Sequence, residues 1–98
     1  MSIKFDWDPA KALYNVNEHK ISFDEAKSVF GDPLARVFFD YDHSFDEKRH
    51  GIYGRTIAGR LILVIFTELT DDIIRIISAR EMTPRERREY EYADGRKR

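Results

Sequence analysis

The stretch RLILVIFTELTDDIIRIISAR, residues 60–80, decides the fold because two apolar segments stand on either side of a polar turn. Residues 60–68 are almost continuously apolar, which is typical of a strand buried at the centre of a sheet. The sequence LTDD then predicts a turn, and residues 72–80 predict a further strand. Because the connection is short, we expect these two strands to pair antiparallel.

Two more strands are expected before this hairpin. Residues 35–40, ARVFFD, and residues 49–57, RHGIYGRTI, show the period of two that is typical of strands. A polar connection, DYDHSFDE, separates them, and an Ala-Gly turn at 58 and 59 leads into the central strand. The sequence therefore predicts an antiparallel meander of four strands.

Capping residues mark the beginnings of three helices. Asp8 and Pro9 begin the first helix, which extends to about His19. The apolar side of this helix is expected to consist of Leu13, Tyr14 and Val16. Trp7, which stands just before the cap, is expected to pack back onto the sheet.

The second and third helices each begin with a capping box. Ser22 and Glu25 form the first box, and that helix ends at the Gly-Asp-Pro of residues 31–33. Its apolar face is expected to consist of Phe23, Ala26, Val29 and Phe30. Residues 83–95 begin with the second box, Thr-Pro-Arg-Glu, and are charged on nearly every side. Tyr90 and Ala93 are the neighbouring side chains with which this helix could dock.

Together these elements predict an α+β domain with two N-terminal helices, a four-stranded antiparallel sheet and a C-terminal helix. The helices are expected to cover mainly one face of the sheet and to leave the other face open. A chain of 98 residues is long enough for one hydrophobic core but not for two. We therefore expect a single domain over residues 1–98, with a flexible basic tail at about 95–98.

The composition excludes several classes of protein. The chain contains no cysteine, so disulfides and thiolate metal sites are excluded. The N-terminus lacks the apolar segment of a signal peptide, and the longest apolar run, residues 61–66, is too short to span a bilayer. We expect a cytoplasmic protein. Its net charge is only −1, but the basic residues of the second half are mainly Arg, whose donors suit phosphate.

The last strand carries the candidate anion-binding residues. Strict alternation sends Arg75 and Arg80 to opposite faces of the sheet, unless a bulge intervenes. We expect Arg75 to snorkel toward solvent or to be ion-paired at a margin of the sheet. Arg80, at the end of the strand, is the better candidate for binding an anion, although an ion pair with Glu81 or Glu68 would also explain it.

Tyr53 and Arg55 form a second candidate site because they share a face of their strand. An aromatic ring beside a guanidinium group can stack a base and hold a phosphate, as proteins that bind single-stranded nucleic acid do. The alternative interpretation is that the two side chains only pack against neighbouring strands. The sequence leaves both interpretations open.

The histidines indicate no metal site. His19 ends the first helix, where it either interacts with the helix dipole or acts as a general acid or base. His43 lies among the carboxylates of residues 40–47, but this segment lacks the turn glycine and the final glutamate of a calcium loop. We interpret this segment as an acidic, solvated turn.

No catalytic cysteine, glycine-rich phosphate loop, HExxH motif or GxSxG motif is present. Metal-free cleavage of RNA remains a natural candidate because the substrate supplies its own nucleophile, the 2′-hydroxyl group. The protein then has to orient this group, accept its proton, stabilise charge on the phosphorus and protonate the leaving oxygen. We expect no cofactor.

Four segments resemble the BrnT family of toxins from bacterial type II toxin–antitoxin modules: FDWDPAKALYNVNEHKISFDEAKSVFGDP, YGRT, LILVIFTE and IRIISAREMTPRERREYE. They extend from Phe5 to about Glu91. The resemblance implies a RelE-like ribonuclease that inhibits growth by cleaving RNA. It also implies a hetero-oligomer with a BrnA-type antitoxin, whose ribbon-helix-helix domain binds operator DNA, so that the toxin would contact this DNA only through the antitoxin.

The matching motifs also imply candidate site residues, which are Trp7, Lys11, His19, Arg55, Glu68, Arg75, Ser78 and Arg80. We expect Arg55 and Arg80 to bind the scissile phosphate, with Lys11 assisting. Glu68 or His19 would accept the proton, unless both residues are purely structural. The residues expected to bind RNA without taking part in the chemistry are Trp7, Tyr53, Arg75 and Ser78, with Tyr53 stacking on a base.

Two other functions remain open. A binding module without chemistry would use the charged last helix and the open face of the sheet to engage a protein partner. A RelE-like toxin could also act on a target other than RNA, such as gyrase. Cleavage of RNA by the purified protein would separate the ribonuclease from both alternatives.

Overall fold

The computed structural model describes residues 2–41 and 47–93, with only the backbone of residue 93. Its elements in chain order are β1 (Lys4–Asp6), α1 (Pro9–His19), α2 (Phe23–Ala26), a short 3-10 helix (Lys27–Gly31), β2 (Arg36–Phe39), β3 (His50–Arg55), β4 (Leu61–Thr70), β5 (Ile73–Glu81) and α3 (Pro84–Ala93). The predicted acidic turn around His43 and the predicted basic tail lie outside the described residues.

The sheet has five strands rather than the predicted four, in the order β1-β5-β4-β3-β2. Strands β2 to β5 form the expected antiparallel meander. The additional strand β1 pairs in parallel with β5, so the prediction of a purely antiparallel sheet is wrong. A strand of three residues is too short to show a period in the sequence. It is held in place by its neighbour, because the Lys4 N–H donates to the Asp72 carbonyl at 2.7 Å.

A β-bulge at Ile77 decides which way the arginines of β5 point. The pairing of β4 and β5 shifts at this position, where the described ladder skips one residue of β5. Arg75 therefore stands opposite Thr67 and Arg80 opposite Leu63, two β4 residues that share a face. Because the inserted residue reverses the alternation, Arg75 and Arg80 lie on the same face, and the prediction of opposite faces is wrong.

The core lies between the N-terminal helices and one face of the sheet, which we call the inner face. Its buried side chains are Ile21, Phe23, Ala26, Val29, Ile52, Ile62, Val64, Phe66, Ile74, Ile76 and Ala79. The predicted apolar face of the second helix is thus confirmed, although this helix continues as a 3-10 helix after Ala26. Trp7 packs edge-on against Phe23, with ring centroids 5.8 Å apart, as part of the same core.

The prediction for the apolar side of α1 is wrong. Leu13 and Tyr14 are each 64% exposed and Val16 is 41% exposed. The buried residue of this helix is polar: the Asn15 amide donates to the carbonyls of Ile21 and Ala79, both at 2.9 Å, and its oxygen accepts from the Ala79 N–H at 3.0 Å. The helix therefore docks on β5 through hydrogen bonds rather than through its largest apolar side chains.

The predicted helix caps are confirmed. The Asp8 carboxylate accepts from the Ala10 N–H at 2.9 Å, and the Ser22 hydroxyl accepts from the Glu25 N–H at 3.0 Å. Side-chain oxygens at these positions satisfy N–H groups that have no partner within the helix. Each helix consequently begins at the residue that the sequence specifies.

The sheet's second face, which we call the outer face, is partly covered by α3. Tyr90 of this helix is only 2% exposed, and its hydroxyl donates to the carboxylate of Asp32, in the loop before β2. Glu86, one turn earlier, contacts Tyr53 and Arg80 on the outer face. The expectation that the helices cover mainly one face is therefore correct for α1 and α2 but not for α3.

Candidate functional site

Side chains of the outer face form regular rows because paired residues of neighbouring strands point the same way. One row across β2, β3, β4 and β5 consists of Arg36, Tyr53, Leu63 and Arg80. The next row consists of Phe38, Gly51, Ile65 and Ser78. The same face therefore presents two guanidinium groups, two aromatic rings and a hydroxyl group next to one another.

These rows border a concavity of about 380 Å³ on the outer face. Its lining residues are Phe38, Asp40, Arg49, Tyr53, Leu63, Ile65, Ser78 and Arg80. Aliphatic side chains form its floor, and Arg80 stands at the end that is closest to α3. The concavity thus combines an apolar base with a cation, which is the composition of many ligand sites.

Glu86 connects α3 to this site. Its carboxylate accepts two hydrogen bonds from the Arg80 guanidinium, at 2.8 and 2.9 Å, and one from the Tyr53 hydroxyl at 3.1 Å. The Thr83 N–H donates to the same carboxylate at 2.9 Å, which completes the predicted capping box. One carboxylate therefore caps the helix and orients two candidate site residues at once.

These contacts change the acidity of all three groups. The hydrogen bonds from Arg80, together with the Thr83 N–H, lower the pKa of Glu86 to about 2, although burial opposes this shift. The bond to Glu86 raises the pKa of Arg80. Burial, followed by the negative charge of Glu86, raises the pKa of Tyr53. At neutral pH the group consists of a carboxylate, a guanidinium and a protonated phenol, so Glu86 is a poor proton acceptor.

The hydrogen bonds of Arg80 leave one edge of its guanidinium group open. The two terminal nitrogens face Glu86, and Nη1 also donates to the Glu81 carbonyl at 3.1 Å. The Nε–H and the neighbouring Nη2–H have no acceptor within the described part of the chain. These two parallel donors form a second fork, which matches the oxygens of a phosphate.

Phe38 and Tyr53 form an aromatic pair beside Arg80. Their ring centroids are 5.3 Å apart and their planes differ by 27°, so the rings are stacked. A Cβ atom at Gly51 would lie 2.2 Å from Cζ of Phe38. The tip of the Phe38 ring therefore occupies the space above Gly51, which only glycine permits at this position.

The other arginines of the predicted site have different surroundings. Arg55 shares the outer face, as predicted, but it borders a separate concavity of about 340 Å³ with residues that include Arg60 and Arg87. Arg75 forms an ion pair with Asp6 at 2.7 Å, in agreement with the expected ion-paired role. Of the three arginines, only Arg80 lines the concavity that contains Ser78 and Tyr53.

The remaining candidates lie away from Arg80, and Trp7 is one of them because it packs against the core. Lys11 and His19 are exposed residues of α1, the helix that packs on the inner face. Glu68 is exposed and pairs with Ile74, a residue of the core, so it belongs to the inner face as well. The structure therefore does not bring Lys11, His19 or Glu68 together with Arg80 and Tyr53.

Sequence reasoning missed four residues that line or complete the site: Phe38, Asp40, Arg49 and Glu86. Alternation on β2 could have placed Phe38 on the face of Tyr53, whereas the second role of a capping glutamate leaves no signal in a sequence. Within residues 2–41 and 47–93, no group of His, Asp or Glu side chains is arranged to hold a metal ion. No helix in the same ranges is long and apolar enough to cross a membrane.

Comparisons with known proteins agree with the fold. A family model described as "Ribonuclease toxin, BrnT, of type II toxin-antitoxin system" matches residues 7–86. The 1.1 Å crystal structure of the Brucella abortus ribonuclease toxin BrnT is similar, with a TM-score of 0.64 and 23% sequence identity over 84% of this chain and 99% of that chain. A search of curated proteins gives no match. The first match covers most of the chain, and the second supports the fold.

Proposed function

The chain belongs to the BrnT family of ribonuclease toxins from type II toxin–antitoxin systems, and on this premise we propose that it is a metal-independent endoribonuclease that inhibits growth by cleaving RNA. The reaction that we propose is attack of the RNA 2′-hydroxyl group on the adjacent phosphorus. The bond to the 5′ oxygen breaks, and the products carry a 2′,3′-cyclic phosphate and a 5′-hydroxyl group. The proton of the 2′-hydroxyl group is lost, and the leaving oxygen gains one.

The open edge of the Arg80 guanidinium is the observation that carries this proposal. Glu86 holds the terminal nitrogens at 2.8 and 2.9 Å, so the group is oriented before any substrate binds. Preorganised donors stabilise the charge that develops on phosphorus without having to reorganise during the reaction. In this proposal Arg80 binds the scissile phosphate and stabilises the transition state.

Neighbouring residues of the outer face support the same assignment. Ser78 lines the concavity with Arg80 and can donate a hydrogen bond to a phosphate oxygen, and Tyr53 contributes to a surface for a base. Arg75 lies further along the same strand, where its ion pair with Asp6 favours a structural role. Arg55 borders the neighbouring concavity and is proposed to contact RNA away from the scissile phosphate.

The proposed roles of Lys11, Glu68 and His19 receive less support. Lys11 and His19 belong to the helix on the inner face, and Glu68 shares that face with a core residue. A proton acceptor must reach the 2′-hydroxyl group within hydrogen-bonding distance. For His19 and Glu68, therefore, the geometry favours the structural alternative.

The test is RNA cleavage by purified protein that has been separated from its antitoxin. Cleavage in EDTA with 2′,3′-cyclic phosphate ends is expected for the wild type. Arg80→Ala should reduce the cleavage rate at least 100-fold, because it removes a donor of the kind that stabilises transition-state charge. It should also abolish growth inhibition.

Arg85→Ala is the matched control for this substitution. Arg85 is 82% exposed on α3 and pairs only with Glu89 in the described structure, so its loss should leave both activities intact. Circular dichroism and thermal unfolding would establish that both variants are folded. A folded Arg80→Ala variant that remains fully toxic would contradict the assignment, and wild-type protein that arrests growth without cleaving RNA would contradict the ribonuclease itself.

Membership of a type II family implies an antitoxin as partner. We propose a BrnA-type antitoxin with a ribbon-helix-helix domain, which would bind operator DNA on behalf of the complex. The toxin would then function in the cytoplasm, where its RNA substrate is found. Co-purification of the two proteins, and operator binding only by preparations that contain the antitoxin, are the expected results.

A further inference from the structure

The aromatic pair on the outer face has features that packing alone does not require. Phe38 belongs to β2, an edge strand, and it remains 36% exposed although its ring is stacked on Tyr53. The tip of the ring fills the space in which a side chain at position 51 would lie. An apolar ring is thus held against Tyr53 and over Gly51 at the surface.

Phe38 lines two concavities. One is the concavity that contains Arg80. The other, of about 510 Å³, lies between β2 and α3, and its lining residues are Arg36, Val37, Phe38, Tyr53, Glu86, Glu89, Tyr90 and Tyr92. Phe38 and Tyr53 line both, so the two concavities adjoin at the aromatic pair.

The charges around the pair suit a polyanion with flat groups. Arg36 and Arg80 stand at the two ends of the row that contains Tyr53. Of the carboxylates nearby, Glu86 is paired with Arg80 at 2.8 Å, and Glu89 is 65% exposed, 3.5 Å from Arg85, where solvent screens its charge. Guanidinium groups on either side of exposed rings are the arrangement with which proteins bind single-stranded RNA, whose bases stack while its phosphates are neutralised.

We propose that Phe38 is a base-stacking residue that holds the nucleotide next to the phosphate bound by Arg80. Tyr53 stacks on one face of the Phe38 ring, and Gly51 leaves room for the tip of the ring. The ligand is a single-stranded RNA with an unpaired base at this position. The inference rests on the proposed ribonuclease function and adds a subsite to it.

The test measures binding of the full chain to a 2′-O-methyl RNA oligonucleotide by fluorescence anisotropy. This RNA cannot be cleaved because its nucleophile is blocked, so binding is measured without chemistry. Phe38→Ala and Phe38→Leu should each weaken binding about 10-fold, since both remove the ring and the second keeps apolar volume. Phe38→Tyr should bind within about twofold of the wild type, because a stacking ring is retained.

Tyr14→Ala is the matched control, since Tyr14 is an aromatic residue that is 64% exposed on α1, beyond the inner face. It should bind as the wild type does. If Phe38→Leu also binds as the wild type does, the ring contributes no stacking and the inference is wrong. This outcome is distinct from failure of the proposed function, in which the wild type itself neither binds nor cleaves RNA.

Gly51 provides an independent test because its effect should act through Phe38. Gly51→Ala should displace the ring and weaken binding about 10-fold, to the level of Phe38→Ala. In the Phe38→Ala background the same substitution should have no further effect on binding, since no ring remains to be displaced. Additive losses of affinity in the double variant would show that Gly51 affects RNA binding by another route. They would contradict the proposal that Gly51 acts by making room for the Phe38 ring.

Discussion

At the scale of single residues, Glu86 has the largest influence on the site. Its carboxylate accepts from Arg80, Tyr53 and the Thr83 N–H, and its pKa is lowered to about 2. The capping role follows from the sequence, but the contacts with Arg80 and Tyr53 depend on how α3 lies across the sheet. The capping role is therefore visible in the sequence, whereas the second function of this side chain becomes visible only in the fold.

The depressed pKa of Glu86 predicts a pH-dependent contribution to stability. A carboxylate whose pKa is lower in the folded than in the unfolded state stabilises the fold above its unfolded pKa, near 4.5, and this stabilisation is lost as the pH falls toward about 2. Glu86→Gln should lower the free energy of unfolding by about 1 kcal/mol at neutral pH, after allowance for the screening of the partly exposed Arg80. Glutamine can still cap α3.

Urea unfolding at neutral pH and at about pH 2 would check this prediction. The difference between the wild type and Glu86→Gln should shrink at the lower pH, where the carboxylate becomes protonated in the folded protein too. Glu89→Gln is the control, because Glu89 is 65% exposed and should give a small difference at both pH values. A difference for Glu86→Gln that does not change with pH would show that its charge is not responsible.

Asn15 marks a limit of sequence reasoning at the same scale. The sequence predicts α1 and its cap correctly, but the pattern of apolar residues selects Leu13, Tyr14 and Val16 as the buried side. Burying these side chains competes with three hydrogen bonds between Asn15 and the backbones of Ile21 and Ala79. Hydrophobic periodicity does not detect a polar residue that docks a helix, so it selects the wrong face of α1.

At the scale of elements, short stretches of sequence predict the elements that form between residues close together in the chain. The hairpin of β4 and β5 and the three capping residues follow from short stretches of sequence, and all are present in the structure. By contrast, β1 forms only because β5, far along the chain, offers an edge. The bulge at Ile77 likewise depends on packing, since it places Ile76 and Ala79 together in the core. That bulge is also what turns Arg75 onto the same face as Arg80.

The attachment of α3 depends on a contact that can be removed selectively. Most side chains of this helix are charged and exposed, so the buried Tyr90 and its hydrogen bond to Asp32 are the main anchors at its C-terminal half. Tyr90→Phe keeps the ring and removes only the hydroxyl group. We expect amide protons of α3 to exchange about fivefold faster, which corresponds to the loss of one hydrogen bond of about 1 kcal/mol.

Hydrogen exchange followed by mass spectrometry or NMR would measure this effect. Tyr92→Phe is the matched control, because Tyr92 is 60% exposed on the same helix and loses an equivalent hydroxyl group. Exchange in β4 should be unchanged in both variants. If Tyr90→Phe leaves exchange in α3 unchanged, then the hydroxyl group is not an anchor, and the buried ring together with Glu86 is sufficient to hold the helix on the outer face.

At the scale of the whole molecule, the sheet separates the core from the proposed functional residues. The inner face and the N-terminal helices contain the core, whereas the outer face presents Arg80, Tyr53 and Phe38 between β2 and α3. The sequence predicted that one face would remain available and that Arg80 and Tyr53 would take part. The sequence does not show which face of the sheet each candidate residue occupies, because this depends on the bulge and on the path of α3.

The whole-molecule charge makes a further prediction about RNA binding. With a net charge of −1, the protein has no overall attraction for a polyanion, so binding must depend on a few local contacts. Each phosphate that is neutralised on a single strand contributes about 0.7 to the slope of log affinity against log salt concentration. If Arg80 holds one phosphate, Arg80→Ala should lower the magnitude of this slope by about 0.7.

Phe38→Leu separates the stacking contact from the phosphate contact in the same salt titration. It should weaken binding at every salt concentration and leave the slope unchanged, because a stacked ring releases no counterions. Measuring the dissociation constants of the 2′-O-methyl RNA for the wild type and both variants over a range of salt concentrations tests both assignments together. An unchanged slope for Arg80→Ala would show that Arg80 binds no phosphate. A lower slope for Phe38→Leu would show that this variant disturbs the path of the RNA backbone rather than the stacking of a base.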